Sequence, residues 1–248
     1  MKISQIFGPT IQGEGSAAGR HCLFVRTYNC NLTCSWCDTA YTWADTPGKA
    51  KLTNSGVQYD RNDPHLGLKE MDADEVLSEL APLWNFTANP TIVVFSGGEP
   101  MMQQAELIDV TRALRNWQNE IHVETAGTLM PKFDFDYTVT QYNVSPKLEH
   151  SGNRLEMRYK PHVLRALRET GKAWFKFVVQ KEDDFDEIDD IVKECQISPR
   201  RVQVMPEGTD IELLAIGARN IVDLALQRGY GLTFRSHILL WPKDNVDR

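Results

Sequence analysis

Residues 30–39 read CNLTCSWCDT, which places three of the chain's five cysteines inside eight positions with C-x3-C-x2-C spacing. Thiolates this close in sequence can converge on one metal centre, because short spacers let a loop wrap around an ion or a cluster. A structural zinc needs a closed set of four ligands, and no second Cys or His pair follows at finger-like spacing. Three sulfurs therefore describe an incomplete cage, the kind that keeps a coordination position for catalysis. The remaining thiols, Cys22 and Cys195, stand alone in apolar surroundings and read as small buried hydrophobes. Two residues after the last cysteine of the motif, Thr39 offers a hard oxygen suited to a magnesium ion that keeps most of its waters; a cap or turn threonine is the plainer reading. Arg26, at the end of a strand-like run, presents a planar fork that fits a carboxylate. Gln12 and Glu14 lie in the glycine-bracketed stretch IQGEG, where an amide and a carboxylate can pair with a donor and acceptor edge. SGGEP at 96–100 reads by itself as a strand-to-helix turn, with glycines for a strained backbone and proline for a first helical turn.

These residues need a scaffold, and composition bounds it. The chain has 248 residues, 42% hydrophobic and 25% charged, enough for one large domain or two small ones. It shows no internal repeat, low-complexity tract or linker, so a single domain over 1–248 is expected, with a variable polar insertion around 44–70 that lacks helical periodicity. An odd, clustered cysteine count argues against a disulfide framework and for reduced thiols. No signal-like segment or run of roughly 18 to 20 apolar residues occurs, which predicts a cytoplasmic protein with no membrane partner. A net charge of −7 and a pI near 5.4 leave no basic footprint for direct nucleic-acid binding.

Strand-like runs occur at 22–28, 91–96, 121–125, 137–144, 173–180, 201–205 and 232–236. Helical spacing covers a segment opening near Asp72, whose D-A-D-E forms a capping signal with Glu75, and segments at about 103–117, 161–170, 184–195 and 209–228. The acidic run at 181–190 falls at a helix amino terminus, where the macrodipole favours it, and Trp174, Phe175 and Phe177 read as core. Alternating strands and helices predict an α/β fold, a partial (β/α) barrel with mostly parallel strands; an open doubly wound sheet is the alternative. The unusual residues follow strands in turn: CNLTCSWCDT, SGGEP, ETAGT, SPK at 145–147, MPEGT and the Ser236–His237 pair. They gather at the carboxyl edge of the sheet, where such folds place their sites. His237 is a candidate hydrogen-bonding or proton-transfer group there.

C-x3-C-x2-C followed by GGEP resembles the radical S-adenosylmethionine superfamily, in which three cysteines hold a 4Fe-4S cluster and S-adenosylmethionine chelates the fourth iron. FGPTIQGEGSAAGRHCLFVRTYNCNLTCSWCDT, VVFSGGEP, ETAGT and NVSPK, in this order and spacing, are similar to the 7-carboxy-7-deazaguanine synthase (QueE) family of queuosine and 7-deazapurine biosynthesis. The resemblance implies a barrel of the radical S-adenosylmethionine type and a lyase converting 6-carboxy-5,6,7,8-tetrahydropterin to 7-carboxy-7-deazaguanine with loss of ammonia. By matching position it implies Cys30, Cys34 and Cys37 as cluster ligands and Thr39 as the magnesium ligand. Trp36, Cys37, Asp38, Gly97, Gly98, Glu99, Ser145, Pro146 and Lys147 would contact S-adenosylmethionine. Ile11, Gln12, Gly13, Glu14, Arg26 and Ser96 would face the pterin. It further implies an external electron donor such as flavodoxin or ferredoxin, and a homodimer. Asn29 departs from the glycine that commonly precedes the first cysteine, and the carboxyl terminus matches less clearly. Two other classes remain: an activase of a glycyl-radical protein, which would share cluster and S-adenosylmethionine, and a non-enzymatic metal-binding interaction module.

Overall fold

The computed structural model describes residues 1–44, 68–86 and 91–241, so the greater part of the expected insertion at 44–70 lies outside the described residues. Among the described residues nine strands form one sheet in the order β3-β1-β2-β4-β5-β6-β7-β8-β9. They are β1 (Lys2–Ile11), β2 (His21–Thr27), β3 (Lys69–Glu70), β4 (Ile92–Gly97), β5 (Glu120–Thr125), β6 (Gln141–Val144), β7 (Ala173–Val179), β8 (Val202–Pro206) and β9 (Gly231–Leu232). From β2 to β9 every neighbouring pair is parallel, while β1 pairs antiparallel with β2 and β3. The expected mostly parallel α/β architecture is what the chain adopts.

The register makes the two faces of this sheet different materials. Leu23, Val25, Val93, Phe95, Ile121, Val123, Tyr142, Val144, Phe175, Phe177, Val202 and Val204 share one face and are buried in the main core. Helices supply the other half of that core: α2 (Gln104–Asn116) contributes Leu107, Val110 and Leu114, and α5 (Pro161–Glu169) contributes Val163, Leu164 and Leu167. Phe185, Ile188 and Ile191 of α6 (Asp184–Glu194) and Ile221 and Ala225 of α7 (Ile211–Arg228) complete it. Arg26, Ser96, Glu124, Asn143 and Lys176 lie on the other face, where successive side chains alternate with the buried ones. These inner side chains line a common cavity, and residues just after β1 bond to residues just after β9. The Gly15 amide donates to Thr233 Oγ1 at 2.8 Å and the Ser236 amide to the Gly13 carbonyl at 3.0 Å. The sheet thus curls into a partial barrel whose seam is closed by loops rather than by strand pairing.

Local signals are honoured where they are strong. Asp72 caps α1 (Ala73–Leu80) in a full capping box with Glu75. Asp210 caps α7, and Gly229 ends it at φ 71°. Two expectations shift, and two elements are new. The strand expected over 137–144 is divided: Tyr137 and Thr138 end α3 (Phe133–Thr138), and only Gln141–Val144 pairs in the sheet. Thr138 Oγ1 donates back to the Phe135 carbonyl and meets Thr111 across the helix pair, so packing overrides the β-propensity of this segment. The strand expected over 232–236 contracts to Gly231–Leu232, with Ser236 opening α8 (Ser236–Leu240). β1 was unforeseen, as Gly8-Pro9 interrupts its pattern, and so was α4 (Leu155–Arg158).

Candidate active site

A cavity of about 260 Å³ opens at the carboxyl ends of the strands. Among the residues expected from sequence, Ile11, Gly13, Glu14, Arg26, Cys30, Cys34, Trp36, Cys37, Asp38, Thr39, Ser96, Gly97, Gly98, Ser145 and Lys147 line it, as does His237. Gln12, Glu99 and Pro146 are not on its wall. Gln12 is buried behind it, donating from Nε2 to Glu124 Oε1 at 3.1 Å. Glu99 is also buried: Oε1 accepts from the Met101 amide at 3.1 Å and Oε2 from the Ala126 amide at 2.8 Å. Burial raises its pKa against the opposing effect of these bonds. In this arrangement the carboxylate ties the turn after β4 to the end of β5.

The cysteine loop approaches from one side. Its entry, Asn29, has φ 78°, a left-handed conformation that asparagine tolerates better than most side chains, so the absence of glycine is accommodated. Gly98 is compulsory beside it: a Cβ there would stand 1.9 Å from the Asn29 carbonyl oxygen. The loop is pinned from the segment after β6, where Ser151 accepts the Ser35 amide at 3.0 Å and His150 Nδ1 accepts the Trp36 indole N–H at 3.0 Å. Burial pushes the thiols of all three upward, Cys30 to about 12. A bound cation reverses that direction, since it stabilises thiolate. Each sulfur accepts an N–H: Cys30 from the Leu32 amide at 3.4 Å, Cys34 from Asn153 Nδ2 at 3.2 Å and Cys37 from Trp43 Nε1 at 3.3 Å. Among the described residues no three Cys, His, Asp or Glu side chains converge as ligands of a single ion. Three sulfurs that share a cavity wall, each with an N–H donor, fit the larger body of an iron-sulfur cluster. Thr39 turns its hydroxyl to within 3.7 Å of Cys37 Sγ, while its carbonyl is taken by Thr42.

The inner strand faces supply the opposite wall. Arg26 is packed over Phe7, 4.7 Å from the ring centroid, and donates to Gln5 Oε1 at 2.9 Å and to the Tyr41 hydroxyl. Glu124 accepts from Gln12 and, at 2.9 Å, from Ser96 Oγ. Lys176 pairs with Glu14, Arg235 Nε donates to Glu14 at 2.9 Å, and Arg235 also pairs with Asp38 and donates to the Gly208 carbonyl at 3.0 Å. Burial alone would raise the Glu14 pKa, but the charges of Lys176, Arg235 and His237 outweigh it and hold the carboxyl far below its ordinary range. Burial lowers His237, with Glu14 opposing. A Cβ at position 13 would lie 1.9 Å from His237 Nδ1, so any side chain there must displace the imidazole. Glu124, Asn143, Lys176 and Arg235 line the cavity and were not foreseen. For the first three a signal existed in the alternation of polar with apolar residues along parallel strands, which would be nearly all apolar if helices covered both faces.

A family described as "4Fe-4S single cluster domain" matches residues 11–145. The chain is 31% identical to a 7-carboxy-7-deazaguanine synthase of Pyrobaculum aerophilum across 97% of its length and 95% of that protein. It is 31% identical to the enzyme of the same name from Hyperthermus butylicus, over 97% and 92% of the two chains. With the Bacillus subtilis enzyme it shares 29% identity over 74% of this chain and 68% of the other. Among solved structures, QueE from Escherichia coli superimposes with a TM-score of 0.65 at 23% identity, covering 94% of this chain and 92% of that one, which supports the fold.

Proposed function

The chain belongs to the 7-carboxy-7-deazaguanine synthase family, and we infer that it converts 6-carboxy-5,6,7,8-tetrahydropterin to 7-carboxy-7-deazaguanine with release of ammonia, in 7-deazapurine biosynthesis. The observation that carries this reading is one cavity walled by the three cysteines on one side and by the polar inner strand faces on the other. Cys30, Cys34 and Cys37 would hold a 4Fe-4S cluster, which together with S-adenosylmethionine supplies the one-electron chemistry that starts a radical reaction. The chain's own residues bind and orient. Trp36, Asp38, Gly97, Gly98, Ser145 and Lys147 stand around the cysteine loop on the cavity wall, the surroundings S-adenosylmethionine would need. Lys147 Nζ lies 5.3 Å above the Trp36 ring and donates to Ser145 Oγ at 2.9 Å, so it is held for an anionic or hydroxyl partner.

At the other wall Arg26 is caged by Phe7 and Tyr41, a pre-set cation for the substrate carboxylate. Glu14 and Glu124 bring carboxylate lone pairs to the polar edge of a pterin, Gly13 allows close approach, and Ile11 and Ser96 complete that wall. Gln12 supports it from behind, while Glu99 braces the turn after β4 near Cys30, on the cofactor side. Thr39 is the residue proposed for magnesium; a neutral hydroxyl on the cavity wall would leave the ion's charge for the substrate carboxylate. Holding substrate in a single pose is the main protein contribution, since a carbon radical has many outlets.

An external flavodoxin or ferredoxin as electron donor, a homodimeric state and a cytoplasmic setting complete the proposal. Among the described residues no helix is long and apolar enough to cross a membrane. Anaerobic reconstitution with iron and sulfide, then incubation with reductant, S-adenosylmethionine, magnesium and the pterin, tests the reading by mass spectrometry. The expected product is 7-carboxy-7-deazaguanine. Cleavage of S-adenosylmethionine with the pterin left intact would point instead to an activase; a colourless protein that assembles no cluster would point to an interaction module.

A further inference from the structure

The hydrogen bonds to the cysteine sulfurs come from unlike sources. Cys30 is met by a backbone amide of its own loop, whereas Cys34 and Cys37 are each met by a side-chain N–H from outside C-x3-C-x2-C. Trp43 is 5% exposed and packs with Ala40, Ala44, Cys30 and Cys37. Its indole N–H, which can only donate, points at Cys37 Sγ. Asn153 reaches the loop from the segment after β6, and its amide orientation is determined by chemistry. The Thr33 backbone N–H donates to Oδ1 at 2.9 Å, so the other end must be the NH₂ group, which faces Cys34 Sγ at 3.2 Å.

We propose that Trp43 and Asn153 are positioning residues that set the reduction potential of the bound cluster through N–H···S hydrogen bonds to Cys37 and Cys34. The inference rests on the reading that these cysteines hold a cluster. Reduction adds one negative charge, spread partly over the cysteine sulfurs. A donor aimed at a sulfur stabilises the reduced form more than the oxidised one and raises the potential. Removing it makes the electron harder to accept.

The test is a redox titration of the reconstituted protein, without S-adenosylmethionine or pterin, followed by electron paramagnetic resonance of the reduced cluster. Trp43→Phe keeps an aromatic ring in the apolar cluster and removes the N–H donor. Asn153→Asp keeps an oxygen for the Thr33 amide and replaces the donor with a negative charge. Trp43→Phe is expected to make reduction about threefold to tenfold less favourable, tenfold being ~59 mV for a one-electron couple. Asn153→Asp should shift the potential further in the same direction. The double variant should approach the sum, as the two donors serve different sulfurs. A fully iron-loaded Trp43→Phe protein that titrates at the wild-type potential would overturn the proposal, and it carries the decision if Asn153→Asp retains no iron. A wild-type protein that forms no cluster would overturn the underlying reading, and the inference with it.

Discussion

The cysteine loop and the seam opposite it face the same cavity but are held together by different forces. The loop is a contiguous stretch whose sulfurs are met by neutral N–H donors, each bond of modest strength. The seam is assembled from the segment after β1, from β7, from the cysteine loop and from the segment after β9. Full charges join it, in the order Lys176, Glu14, Arg235, Asp38. The loop must remain able to take an anionic group, so neutral donors suit it. The seam has to register distant segments in a partly buried place, where only paired charges repay their desolvation. It follows that the loop should be sensitive in its cofactor and the seam in its fold.

Cys34→Ala should produce the largest effect, removing one of the three cluster ligands and with it the iron, the visible absorbance and all product, while the unfolding midpoint of the iron-free protein barely moves. A large loss of stability in that variant would break the comparison. Glu14→Gln is the counterpart at the seam: it leaves Lys176 and Arg235 without their shared carboxylate, at a cost of about 3 kcal/mol in urea unfolding. Because the folded-state pKa of Glu14 lies below its ordinary value of 4.5, its contribution is present above about pH 4.5 and drains away as pH falls below it. The acid limb of the stability curve should therefore be flatter in Glu14→Gln than in the wild type; equal limbs would remove Glu14 from the seam. Gly13→Ala should act more gently, forcing His237 aside and raising the KM for the pterin more than that for S-adenosylmethionine. Asp72→Ala sharpens the contrast from outside both regions: losing the α1 capping box should cost about 1 kcal/mol with activity unchanged.

The same contrast explains what could be read before the structure. Cys30 to Thr39 and Ser96 to Pro100 are continuous strings, so their chemistry was visible in one dimension. The long helices were visible too, with Asp72 and Glu75 marking one of them. Lys176 and Glu124 lay inside runs recognised as strands, but a run without its neighbours does not reveal which face is covered. Only the parallel register, Arg26 beside Ser96 and Lys176 beside Gln203, turns alternate polar residues into a wall. Arg235 carried no local signal at all, because the partners that give it meaning are 221 and 197 positions away. β1 escaped for a similar reason: its pairing with β2, not its composition, makes it a strand.

The central claim is that the two walls enclose a single reaction, and hydrogen transfer between their ligands tests it most directly. With pterin deuterated at carbon 6, the reconstituted protein should yield 7-carboxy-7-deazaguanine, and deuterium should appear at the 5' carbon of recovered S-adenosylmethionine and of any 5'-deoxyadenosine released, because loss of ammonia alone accounts for the product and the hydrogen taken must be returned. Undeuterated 5'-deoxyadenosine beside unconsumed pterin would contradict the account.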